Sequence, residues 1–130
     1  MRYVDVNILV YWLGDDPKFG ELATKIMERI ENGEVAATSS LTLWLTHVIL
    51  SRLAVGYSAK EMLKRLKELA FLKIEPLVVD DFADAILSSE KYNLDLEDAL
   101  HLSTAVRLGI REIYTFDEDY TLTPLKVFSK

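Results

Sequence analysis

Residues 2–13, Arg2-Tyr3-Val4-Asp5-Val6-Asn7-Ile8-Leu9-Val10-Tyr11-Trp12-Leu13, decide the fold. Arg2 to Val6 is an apolar run of strand length, and Ile8 to Leu13 reads as a short helix directly behind it. The same alternation repeats down the chain, which is the signature of βαβ units and a mainly parallel sheet. Asp5 stands inside the apolar run, flanked by Val4 and Val6. An isolated carboxylate there costs several kcal/mol, so a compensating partner is expected.

Working outward, the turn Gly14-Asp15-Asp16 precedes a helix that Pro17 opens and Gly33 stops. Val35 to Thr38 is the second strand, and Leu41 to Val55 carries helical period up to Gly56. Ser58 and Glu61 form a capping box for a helix running to about Ala70. Ile74 to Val79 is the third strand, with Pro76 demoting it to an edge or irregular position. Asp80 caps a helix to Tyr92, where Asn93 suits the left-handed turn that ends it. Asp95 caps the next helix, which ends at Leu108 and Gly109. Glu112 to Phe116 and Lys126 to Phe128 complete about five strands. The expected fold is a three-layer α/β/α sandwich, and residues 1–130 are expected to form one domain.

Half of the 130 residues are hydrophobic, enough for one core without disulfides or structural metals. Cysteine is absent, which removes thiolate ligands and cysteine nucleophiles. No apolar run approaches a membrane span and the first residues lack a signal-peptide cleavage region, so an intracellular, cytoplasmic protein without membrane contact is expected. The net charge of −6 argues against a broad basic surface that coats nucleic acid. It leaves room for a nuclease if several acids converge on a cation that itself attracts phosphate.

Three acids are placed to converge. In open α/β sheets ligands bind beyond the carboxyl ends of the strands. Asp5 and Asn7 are delivered to that edge by the first strand, Asp117 by the fourth, and Asp98 by the first turn of its helix. Two unit charges about 5 Å apart repel by roughly 3 kcal/mol at an effective dielectric of 20. Three such pairs raise the pKa of at least one member unless a cation intervenes. All-oxygen ligation suits Mg²⁺ or Mn²⁺, whose chemistry includes in-line phosphodiester hydrolysis. The alternatives are local: Asp95 and Asp98 also form an acidic capping box at a helix N-terminus, and Asp117 and Asp119 also suit a turn.

Three blocks resemble the marked segments of PIN-domain proteins, the family that includes the VapC toxins. They are Val4 to Tyr11, Asp98-Ala99-Leu100-His101 within Leu96 to Ala105, and Thr115 to Tyr120, in the family's order and at matching intervals. The resemblance implies a Mg²⁺- or Mn²⁺-dependent endoribonuclease that cuts RNA, forms homodimers and, in the VapC branch, is neutralised by an antitoxin protein. Asp5, Asp98 and Asp117 match its metal-binding, catalytic acids. Asn7 and Thr115 match polar positions beside them and Asp119 a further acidic position, while Asp95 is a candidate extra ligand. One departure stands out: where the second-strand block Thr38 to Leu45 usually delivers a glutamate, this chain has Leu45, and no acid occurs between Glu34 and Glu61. Leucine neither binds metal nor accepts a proton, so the alternative is a catalytically weakened module that binds RNA or a protein without cleavage. Thr42 and Ser39 offer only neutral ligation.

His47 and His101 are too few for a zinc cluster, and a lone histidine on an apolar helix reads first as core or surface. Lys60, Lys64, Arg65 and Lys67 read as a solvated helix face interleaved with Glu61 and Glu68 rather than an RNA track. Tyr11, Trp12 and Trp44 read as packing residues, with a groove for a partner helix as the alternative. No Gly-rich phosphate loop or serine-hydrolase elbow is present.

Overall fold

A computed structural model describes residues 1–130. Five strands, β1 (Arg2–Val4), β2 (Ala36–Ser39), β3 (Leu72–Glu75), β4 (Glu112–Tyr114) and β5 (Lys126–Phe128), form one sheet in the order β3-β2-β1-β4-β5. Every pairing is parallel, with Tyr3 opposite both Ala37 and Ile113. Side chains alternate across a strand, and the two cores follow from that period. Val4, Ala36 and Tyr114 face one core, and Tyr3, Ala37 and Ile113 face the other.

Helices α1 (Val6–Leu13), α2 (Gly20–Glu31) and α4 (Ala59–Lys67) cover the first face through Ile8, Leu9, Ile26, Met27, Met62 and Leu66. Helices α5 (Val79–Tyr92) and α6 (Leu96–Arg107) cover the second, with a 3₁₀ turn at Glu118–Leu122. Between them α3 (Ser40–Leu53) leaves β2 directly and packs on α1. This is the expected α/β/α sandwich. No helix is long and apolar enough to cross a membrane.

Several boundaries differ from the expectation, each for a local reason. The Asp5 N–H still continues the ladder to the Tyr114 carbonyl at 3.0 Å, but the Asp5 side chain accepts the Val6 N–H and so starts α1 two residues before Ile8. Pro17 does not open α2, because Asp16 Oδ2 accepts the N–H groups of Lys18 and Phe19 in a separate turn and the helix begins at Gly20. Asp80 does not cap α5. Asp81 reaches back to the Val78 N–H at 3.1 Å instead, and the helix starts at Val79. The third strand is Leu72–Glu75, ending just before Pro76, and it lies at the sheet edge as a strand next to proline should. Asn93, at φ 53°, takes the left-handed turn after α5.

Candidate metal centre

The site lies where β1, β4 and the N-terminus of α6 meet, at the carboxyl edge of the sheet. Asp5 is 4% exposed and both of its oxygens are engaged: Oδ1 accepts the Val6 N–H at 2.7 Å and Oδ2 the Thr115 hydroxyl at 2.7 Å. That same hydroxyl accepts the Asp117 N–H at 3.0 Å and the Asn7 amide at 3.2 Å. Asn7 Oδ1 in turn accepts the Phe116 N–H at 3.3 Å. Thr115 and Asn7 thus lock the start of α1 to the segment after β4, and two strand ends that are remote in sequence become one rigid rim.

Asp98, 9% exposed, enters from the first turn of α6, where Asp95 Oδ1 accepts its N–H at 2.9 Å as the helix cap. The buried Tyr120 hydroxyl donates to Asp98 Oδ1 at 3.2 Å. Burial, followed by the charges of Asp95, Asp5 and Asp117, pushes the Asp98 carboxyl up to about 7. Tyr120 is pushed above the usual phenol range by its burial and by Asp5 and Asp98, so its hydroxyl keeps the proton it donates to Asp98. Asp119 is exposed, donates its N–H to Asp117 Oδ1 at 2.8 Å, and is raised mainly by the neighbouring Asp117 charge.

Asp5, Asn7, Asp98 and Asp117 line one open cleft of about 280 Å³ with Glu97, Val6, Val10, Tyr11, Ile49 and Leu53. The tightest acidic grouping differs from the expected triad. Asp98, Asp117 and Asp119 each offer a carboxylate oxygen within 4.8 Å of the others, and Asp5 is not one of these three. Asp95 is used as a helix cap and contributes its charge to Asp98. Leu45 lies half-buried on α3, one turn before Ile49, which lines the cleft beside the acids.

The donor set fits a hard dication. It is carboxylate oxygen throughout, and a carboxyl that keeps its proton near neutrality marks a concentration of negative charge that a cation would relieve. Three residues escape a reading of the sequence alone. Glu97, raised by burial and by the charges of Asp95 and Asp5, shares the cleft, although adjacency to Asp98 places it on another side of an ideal helix. Tyr120, named above only as the last residue of the block from Thr115, donates to Asp98. His101, which read as a core or surface residue, lies fully buried with Nε2 3.8 Å from Asp5 Oδ1.

Comparison with known proteins places the chain. The profile of the PIN domain matches residues 2–124, and the chain belongs to the PIN-domain family. Its structural neighbours include a VapC toxin and toxin–antitoxin complexes. The sarcin-ricin-loop-cleaving toxin VapC20 of Mycobacterium tuberculosis superposes with a TM-score of 0.78 at 18% identity, over 93% of each chain. The toxin-antitoxin complex from Klebsiella pneumoniae gives 0.73 at 20% identity, over 99% of this chain and 97% of that one. VapBC2 of Rickettsia felis, bound to a promoter DNA fragment, gives 0.68 at 18% identity over 98% of each. No match was found among curated protein sequences.

Proposed function

We propose that this protein is a Mg²⁺- or Mn²⁺-dependent endoribonuclease of the VapC type, the cytoplasmic toxin of a toxin–antitoxin pair. The observation that carries the proposal is the meeting of Asp5, Asp98 and Asp117 in one cleft, where burial and the neighbouring aspartates raise the Asp98 carboxyl. Asp98, Asp117 and Asp5 would hold the dication, with Asp119 at its exposed side. When bound, such an ion supplies charge that attracts a phosphodiester and favours ionisation of water at neutral pH.

The chain's own residues set up that chemistry. Thr115 and Asn7 fix the rim so that Asp5 and Asp117 stay in place without a ligand. Asp98 must release its proton as the ion arrives, with the Tyr120 hydroxyl still donating to Oδ1. Val6, Val10, Tyr11, Ile49 and Leu53 supply the apolar part of the cleft lining.

Two surfaces support the proposed partners. A mixed cleft lined by Leu13, Leu50, Val55, Tyr57 and Met62 with Glu61 and Arg65, linked through His47 to the 62% exposed Trp44, suits a helix of an antitoxin. Val79, Phe82 and Ile86 are exposed at helical spacing on α5, which suits a homodimer contact. Leu45 motivates a second reading, in which the chain binds RNA or its partner without cutting.

Incubation with structured and unstructured RNA plus Mn²⁺ tests the proposal against an Asp5→Asn preparation. Cleavage by the wild type alone supports it. Equal cleavage by both preparations identifies a contaminant and removes the assignment.

A further inference from the structure

Beneath Asp5 lies a polar assembly that metal ligation does not use. His101, on the second turn of α6, has no solvent exposure. Its Nδ1 lies 2.8 Å from the Tyr3 hydroxyl oxygen, and the two rings meet edge-on with centroids 5.6 Å apart. The same hydroxyl lies 2.8 Å from Ser39 Oγ and 3.2 Å from Thr42 Oγ1, at the junction of β2 and α3. The other ring nitrogen, Nε2, is buried without a hydrogen bond. It faces Asp5 Oδ1 at 3.8 Å, just beyond hydrogen-bond range.

An unpartnered buried polar atom costs about 1–3 kcal/mol, a cost that leucine or methionine in the same space would avoid. The position of the ring proton follows from its neighbours. With Nδ1 accepting the Tyr3 hydroxyl proton, a neutral ring carries its own proton on Nε2, directed at Asp5. The opposite tautomer sets a nitrogen lone pair against a carboxylate oxygen, which repels. Asp5 already takes the Val6 N–H on Oδ1 and the Thr115 hydroxyl on Oδ2. A third donor on the inner side of Oδ1 fixes the carboxylate's rotation.

We infer that His101 is a positioning residue for Asp5: its Nε2–H, oriented by the Tyr3 hydroxyl, closes onto Asp5 Oδ1 when the carboxylate engages a divalent cation and holds it at the angle the ion requires. The inference rests on the metal site proposed above. Imidazole and carboxylate support behind metal ligands characteristically changes affinity by about 10–100-fold. Tyr3, Ser39 and Thr42 thereby join β2 and α3 to the metal centre through hydroxyl groups.

The test compares His101→Leu, which fills the space without a donor, with His101→Gln, whose amide nitrogen replaces Nε2, and with Tyr3→Phe. Mn²⁺ affinity is measured by calorimetry, the fold by circular dichroism, and the ring proton by ¹⁵N NMR of the metal-free protein and after Mg²⁺ addition. The expected result is roughly tenfold or greater loss of Mn²⁺ affinity in His101→Leu, recovered largely in His101→Gln, with a proton on Nε2 whose resonance shifts with Mg²⁺. Folded His101→Leu with wild-type affinity overturns the inference, as does a proton found on Nδ1. If His101→Leu does not fold, Tyr3→Phe decides: unchanged affinity and an unchanged Nε2 resonance overturn the inference. Wild-type protein that takes up no Mn²⁺ strikes down the metal site itself, together with its supporting histidine.

Discussion

Replacing Asp98 by asparagine should make the metal-free protein more stable at pH 8, although it removes a proposed metal ligand. Burial and three neighbouring aspartates raise this carboxyl from 3.8 to about 7. An acid whose folded pKa lies above its unfolded value keeps its proton longer in the folded state, so folding loses stability as pH rises from about 4 to about 7. Three units at 1.36 kcal/mol each give about 4 kcal/mol at most, and solvent screening reduces this to about 2 kcal/mol. Asparagine is a neutral isostere that can still accept the Tyr120 hydroxyl bond. Asp98→Asn should match the wild type near pH 4 and exceed it by about 2 kcal/mol at pH 8, roughly 8 °C in melting temperature. Urea and thermal unfolding in EDTA across this range provide the assay. A variant that is less stable than wild type at pH 8, or whose advantage is the same at pH 4, refutes the charge-crowding argument.

Further outcomes follow from neighbouring features. Arg107 donates to buried Asp81 at 2.7 and 3.0 Å and to the Pro76 carbonyl at 2.9 Å, and so overcomes the burial that would raise the Asp81 carboxyl. Arg107→Leu should cost about 3 kcal/mol in urea unfolding at pH 7, with the difference fading below the ordinary carboxylate range. Glu97→Gln should weaken Mn²⁺ binding less than Asp98→Asn in calorimetry, because Glu97 is the more exposed of the two. Leu45→Glu should raise Mn²⁺ affinity and RNA cleavage by about tenfold or more if the leucine is what limits the site. Equal cleavage by both proteins in a gel assay would show that the present carboxylates suffice, and no cleavage by either would favour the binding-only reading.

The fold was largely legible because its signals are local. Strand-length apolar runs alternate with capped helices, Pro76 marks the edge strand, and Ser58, Asn93 and Asp95 occupy the turns and caps their chemistry favours. Boundaries shifted where one side chain serves two elements. Asp5 belongs to the sheet through its N–H and to α1 through its carboxylate, a dual role that no periodicity reveals. The candidate site was legible as acids gathered at the carboxyl edge of the sheet, whereas the compensation that buried Asp5 requires comes from the Val6 N–H and the Thr115 hydroxyl. Its details were not, because they depend on distances across the sheet. The 3₁₀ turn brings Asp119 to Asp117 and inserts Tyr120 under Asp98, and the core that α6 shares with Tyr3 sets His101 behind Asp5. Sequence spacing contains none of those contacts.

Calorimetric titration with Mn²⁺ in buffers of different ionisation enthalpy tests the central claim most directly. Saturable binding at pH 6 should release close to one proton per ion, as Asp98 gives up the proton it holds below about pH 7, and release should fall away by pH 8. Asp5→Asn and Asp117→Asn should each abolish or sharply weaken that uptake. Uptake that releases no proton at pH 6, or that survives both substitutions unchanged, would contradict an ion held among these aspartates.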